Sequence, residues 1–465
     1  MVRSALHMIA ELGIHVRRQE ILERARGQRG LTVRGNRVYV NEALARETLD
    51  CIRWGHLNPE RAHGGGASDP QKGPTIRITS RPKSIAEHRE GRLRPLTRAD
   101  VIAGTKLLDA LGDRGIYGTT CGMPQEAPLP LQPIEQYLIG FRYNRNGGWT
   151  DIPLHSDVAQ TMRAIREIAE ENYDPQRRAF AIWVPSPLRL DSSELDELLA
   201  FHGRVLRITV GSMPTMGLNG PVDPLGIYTL SLAECLGGAA ILHCLYPDAD
   251  VSLLPHPQPM DLHTGNMIFG TVEWNRLDLI KRQVLAHLGI PYYRKECLTS
   301  ACMPDPRAQA DKVFSVAFGV MYGFTTFGMY PLCADEVWSA VQCVLDVEYV
   351  LEAWRTVTPL DDVIGAMEAY EMMRRALQEG VLPAEMPEVV GHLRKYYSVG
   401  VFPRYPTGAL WEEANMPQLI AQAEEYAAGL ISQATYAPDE DRLRAIMEHY
   451  YRLCRQFGAQ PMALE

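Results

Sequence analysis

What this chain lacks excludes several chemistries at once. It has no GxxxxGK[ST] phosphate loop, and the three successive glycines of HGGGASDPQKGPT follow no predicted strand. No GxGxxG follows any predicted strand, so the dinucleotide-binding fingerprint is missing. No GxSxG elbow marks a hydrolase nucleophile; Ser212 follows a glycine at a strand end, but nothing marks a base for it. The nine cysteines are odd in number and include no CxxC, which fits reduced thiols of a cytoplasm better than a disulfide framework. Basic excess is absent too. The net charge is −9, whereas phosphate binding needs clustered Lys and Arg, so nucleic acid is not expected as a partner. The longest basic run, Arg17 to Arg29, is mixed with Glu20 and Glu23 and reads as a solvated helix face. The start, MVRSALHMIAELGI, reads as an amphipathic helix rather than a signal peptide. One uncharged run, from Val313 to Ala334, reaches membrane length, but glycines, threonines and Pro331 interrupt it. It is expected to be a buried helix followed by a buried parallel strand, with no membrane partner.

What remains is a β/α alternation. At 465 residues the chain suits one large α/β barrel with extensions, or two domains. Helices are expected at residues 3–13, 18–26 and 41–53, with a hairpin in LTVRGNRVYV and a strand at 75–80. Thr97 is placed to cap the next helix. Strands are then expected at 115–120, 148–152, 179–186, 205–211, 249–255, 290–297 and 324–329, mostly separated by helical patterns. With a weakly marked eighth strand near 360–366, this fits a (β/α)8 TIM barrel over 97–366. A helical and hairpin extension occupies 1–96, and a helical tail packed on the barrel occupies 367–465. An open doubly wound sheet is the rival architecture.

The densest chemistry lies at residues 209–273. There a β-branched run enters the loop GLNGPVDP, a long apolar helix follows, and the strand ADVSLLP runs into HPQPMDLHTGN. In β/α barrels the active site lies beyond such strand ends. Glu234 sits inside the apolar helix, where a carboxylate must be paired; it either bonds a neighbouring loop or reaches the site. Glu273 is expected as an acid in the first turn of the next helix.

This segment resembles the corrinoid-dependent trimethylamine/glycine betaine methyltransferase family. The likeness rests on GLNGPVDP, the Glu234 helix, PDADV, DLHTG and the following GTVE. ELGIHVRRQEIL, RPLTRAD and HLGIPYY stand in the family's order, so that it spans about three quarters of the chain. The resemblance implies a TIM barrel and transfer of a methyl group from an amine nitrogen to the cobalt of a separate corrinoid protein. It also implies a homo-oligomer. The trimethylamine branch carries a pyrrolysine and none is written here, which points to quaternary amines such as betaines. The family's glycine-rich C-terminal segment is matched only by GHLRKYYSVGVFPRYPTGALW.

A quaternary ammonium donates no hydrogen bond, so its recognition needs aromatic faces. Tyr117, Trp149, Trp183, Phe327 and Tyr330 collect at predicted strand ends, and Tyr228 begins the apolar helix. Each is a substrate-cage candidate, with barrel or helix packing as the alternative; Trp183, in WVPSP, is the strongest. Asp261 and His263 are candidates for the substrate carboxylate or a face of the corrin. Asn219, Gly220, His256, Thr264, Gly265 and Asn266 are candidates for the corrin. The alternative is a loop that fixes its own turns. A zinc site competes, but His243 and Cys244 point to different faces of one helix, and Cys297 with Cys302 is a loose pair; no bound metal is expected. Two other readings stay open: a barrel that binds a quaternary amine or corrinoid without turnover, and a zinc-dependent barrel enzyme.

Overall fold

The computed structural model describes residues 1–57, 73–150, 156–358, 365–387, 389–390 and 400–464. The chain opens with helix Val2–Glu11, strand Ile14–Val16, helix Gln19–Ala25, the hairpin Leu31–Arg34/Arg37–Val40 and helix Glu42–Leu57. The hairpin turns at Gly35, whose φ of 56° suits glycine. This extension is stitched into the body: Ile14–Val16 pairs antiparallel with the hairpin and parallel with Arg189–Leu190.

Two parallel sheets form the body. The first has the order Asp250–Pro255, Arg204–Ser212, Arg177–Trp183. The second runs Arg294–Cys297, Thr326–Met329, Thr75–Ile78, Ile116–Tyr117. Alternation decides which face each side chain takes. In the first sheet Ile182, Ile208, Val210, Val251 and Leu253 point one way into a core shared with helix Pro224–Leu245. That helix is apolar all round because it is covered all round. Gly237 meets Ile9 and Ile14 of the extension, while Gly238 meets Val184 and Val210 of the sheet. It has the length and composition of a membrane span, yet 89% of its most apolar window is buried inside the protein. Asp223 caps it by accepting from Gly226 N at 2.6 Å. In the second sheet Ile76, Ile116, Cys297, Phe327 and Met329 join a separate core with helices Arg98–Leu111 and Ala340–Trp354.

The uncharged run at Val313 to Ala334 resolves into helix Pro306–Met321 and strand Thr326–Met329. Thr97 caps its helix as expected, in a box with Asp100. Three expectations differ. Strand Thr75–Ile78, assigned to the extension, belongs to the parallel sheet and pairs with Thr326–Met329, so the boundary at residue 97 does not follow the sheet. The expected eighth strand near 360–366 falls mostly outside the described residues, and Ala366 begins a helix. Within the expected strand 148–152, residues 148–150 are not in a strand and the rest lies outside the described residues. In the tail, helix Glu440–Phe457 docks on helix Ser156–Ala169, and Tyr450 donates to Glu135 at 2.7 Å.

Candidate functional site

The face of each parallel sheet opposite its helices is polar and reachable by solvent. On the first sheet it carries Ala179, Ala181 and Trp183 from one strand, Arg207, Thr209 and Gly211 from the next, and Ser252 from the third. Thr209 and Ser252 hydroxyls lie 2.9 Å apart across the strands. Trp183, half-buried, lays its ring over Gly211, where an added Cβ would stand 2.7 Å from the indole. Glycine at that position is therefore what lets the indole lie flat at the strand end.

On the second sheet the same logic brings Arg294, Glu296, Gly328, Arg77 and Tyr117 together. Arg294 pairs with Glu296 at 2.6 Å and donates to the Tyr330 hydroxyl at 2.7 Å. The Glu296 carboxylate lies over Gly328, leaving no room there for a Cβ. Burial alone would raise the Glu296 pKa, but Arg294, and then Lys281 and a hydrogen bond from Tyr330, outweigh it and keep the group ionised. The Arg77 guanidinium lies 5.5 Å from the centre of the Tyr117 ring. A cavity of about 450 Å³ opens beside Tyr117 and Trp149, with Glu170, Tyr436 and Arg442 on its other walls.

At the end of strand Asp250–Pro255, His256 joins a buried charge cluster. Its Nδ1 lies 2.9 Å from Lys281 Nζ. Asp278 bridges Lys281 at 3.0 Å and Lys295 at 2.6 Å. Trp274 meets the imidazole edge-on at 5.2 Å. Burial first, and the Lys281 charge second, push the His256 pKa down to about 3, so its ring is neutral at physiological pH.

Of the aromatic candidates, Tyr117, Trp183 and Tyr330 lie on or beside the open faces. Tyr117 is 49% and Trp149 52% exposed, and the two share one cavity. Phe327 is not brought there. It is one residue out of phase with Gly328, so it points into the helix layer and meets Trp354 edge-on at 6.4 Å. Tyr228 is likewise fully buried in the helix layer. The DLHTG loop closes largely on itself. Asp261 accepts from His263 N at 3.1 Å and from Thr264 Oγ1 at 2.9 Å, and its own N donates to Asn266 O at 2.8 Å. Gly265 supplies the left-handed φ of 71° that this turn needs. The close approach at Gly220 is to Ile227 and Leu230 of the following helix, and Asn219 Oδ1 accepts from Thr215 N at 2.7 Å. Both features therefore serve local packing. Glu234 bonds the loop beyond Trp183, accepting from Ser186 Oγ at 2.9 Å and Leu188 N at 2.8 Å. Glu273 lies in the first helical turn, as expected.

Sequence reasoning passed over Arg77, Asp278, Lys281, Arg294, Lys295 and Glu296. Their signal was available: RKEC places three charges inside a strand, and Asp278 and Lys281 stand one helical turn apart in a helix that must cover a sheet. All nine cysteines are free, and among the described residues no three His, Cys, Asp or Glu side chains converge to hold a metal ion.

The parallel sheets, each with a polar open face and helices on the other, define an α/β protein. Its particular lineage comes from comparison. The model of the trimethylamine methyltransferase family (MTTB) matches residues 88–359, more than half of the chain, and the chain belongs to that family. Its class is therefore methyltransferase. No curated protein matches. Among solved structures, the Methanosarcina barkeri monomethylamine methyltransferase MtmB is similar at 13% identity and a TM-score of 0.39. That match covers 94% of this chain and 87% of the other. The hydroxylamine complex of MtmB is similar at 13% identity and a TM-score of 0.38, over 99% of this chain and 87% of that one.

Proposed function

We propose that this chain moves a methyl group from a quaternary or tertiary amine, with betaines as the preferred class, to the cobalt of a corrinoid held by a separate protein. The observation that carries this reading is the family match over residues 88–359. The open sheet faces support it. Trp183, Tyr117 and Tyr330 offer ring faces suited to a methylated cation, and Glu296 adds a carboxylate beside Tyr330.

The same reading makes the two sheets arcs of one (β/α)8 barrel. Counted from Thr75–Ile78, the described strands of the two sheets follow chain order around the cycle. Thr326–Met329 is then the last of them, closing on the first. The protein works in the cytoplasm as a homo-oligomer on this view.

The corrinoid supplies the nucleophile. What the chain's own residues contribute is orientation and exclusion of water. The amine leaves neutral when its methyl departs from a quaternary nitrogen, so no general acid is required. Positive charge moves off nitrogen during transfer, so the aromatic faces must not hold the ground-state cation too firmly. The test is incubation of the purified protein with a reduced corrinoid partner and a panel of glycine betaine, carnitine, proline betaine, choline and trimethylamine. Methylation of the corrinoid, read by absorbance, is expected with a betaine. Saturable amine binding with no methylation would instead establish a binding protein without turnover.

A further inference from the structure

We propose that Lys281 locks His256 in the form that carries its proton on Nε2, so that His256 presents a fixed hydrogen-bond donor to the carboxylate of a betaine-type substrate. This rests on the function proposed above and assigns the residue that would discriminate within it.

His256 is the first residue past strand Asp250–Pro255, and its backbone N–H is tied to Ser212 O at 2.9 Å. Its Nδ1 stands 2.9 Å from Lys281 Nζ. An ammonium group can only donate, so Nδ1 must accept, and the ring proton is left on Nε2. Lys281 cannot swing away without cost. It is 1% exposed and paired with Asp278, whose second oxygen holds Lys295. Burial alone would discharge Lys281, but Asp278 outweighs it and the net shift of its pKa is upward. Trp274 closes one side of the ring. The ionisable groups facing His256 are Asp278 and Lys281 from helix Val272–His287, and Lys295 and Glu296 from strand Arg294–Cys297. Nε2 has no hydrogen-bond partner among the described residues, and the residue is half-buried. A neutral ring with one engaged nitrogen and one spare N–H is a donor, not a base. Lys281 is a positioning residue, since it acts through His256.

The test is calorimetric binding of glycine betaine and of choline, which lacks the carboxylate, to the full chain and its variants. Circular dichroism confirms that each variant folds. His256→Phe should weaken betaine about tenfold to a hundredfold, as for loss of a hydrogen bond to a charged group, and leave choline unchanged. His256→Gln, which restores an N–H donor, should recover most of the loss. Betaine binding by the wild type should be flat between about pH 5.5 and 8, because the ring does not titrate there. Lys281→Met frees the ring to protonate nearer its ordinary value of about 6.5, so betaine binding should tighten as pH falls. Equal losses of betaine and choline in His256→Phe would overturn the proposal by showing a structural role. A flat profile in Lys281→Met would overturn the lock. If the wild type binds betaine and His256→Phe binds it equally, only this inference fails; if the wild type binds neither ligand, the proposed function falls with it.

Discussion

Glu234 allows a sharp test of how this fold treats a buried carboxylate. The side chain is fully enclosed, yet among the described residues no cation pairs with it; it accepts hydrogen bonds from the Ser186 hydroxyl and the Leu188 amide. Burial raises its pKa from 4.5 to about 7, with the hydrogen bonds from Leu188 and Ser186 opposing. The folded state thus keeps a proton that the unfolded chain gives up. Stability from this group is full below pH 4.5, declines as pH rises from there to about 7, and is level above. At about 1.36 kcal/mol per pH unit, the window from 4.5 to about 7 amounts to about 3 kcal/mol lost. Glu234→Gln copies the protonated acid. Its carbonyl can accept from Leu188 N, and its amide can donate to the Ser186 oxygen, so the variant should escape the loss. Urea unfolding followed by circular dichroism should show the variant near wild type at pH 5 and more stable by about 2–3 kcal/mol at pH 8. A stability difference that does not grow with pH would refute the reasoning and mean that Glu234 is ionised in the fold.

Trp183→Ala and Tyr330→Ala should each weaken quaternary-amine binding by about 1–2 kcal/mol in a calorimetric titration; unchanged binding in both would reject the aromatic faces as the cation site. Gly211→Ala places a methyl group 2.7 Å from the Trp183 ring and should displace the indole, with a parallel loss of amine affinity and a change in tryptophan fluorescence. Lys312 donates to Cys297 O at 2.8 Å and to Tyr330 O, and pairs with Asp346 at 3.0 Å, so it ties two strand ends together. Asp346→Ala strands that buried cation and should cost about 3–5 kcal/mol in urea unfolding, with Asp346→Asn costing less. Thr97→Ala removes a helix cap and should cost about 1 kcal/mol by the same measurement.

Local pattern made much of this protein legible. Thr97 and Asp223 cap their helices because a hydroxyl or carboxylate beside the first free amides stabilises any helix start, whatever surrounds it. The order of strands and helices, the breaking of the uncharged run at Gly323, and the family likeness carried by GLNGPVDP and DLHTG all depend on residues near one another in the chain. Those same short-range rules explain the DLHTG loop, whose polar groups satisfy one another: the pattern located the loop correctly and said nothing of where its side chains point.

Tertiary structure decided the rest. A single step of register separates Phe327, buried against Trp354, from Gly328, which makes room for Glu296; composition cannot say which phase a short strand adopts. Thr75–Ile78 reads as part of an extension until it pairs with a strand some 250 residues later, and long-range pairing leaves no local trace. The cluster of His256, Asp278, Lys281 and Lys295 joins the end of one strand, a helix and the next strand. Its charges are tolerable only because they meet each other, and that meeting exists only in the folded chain.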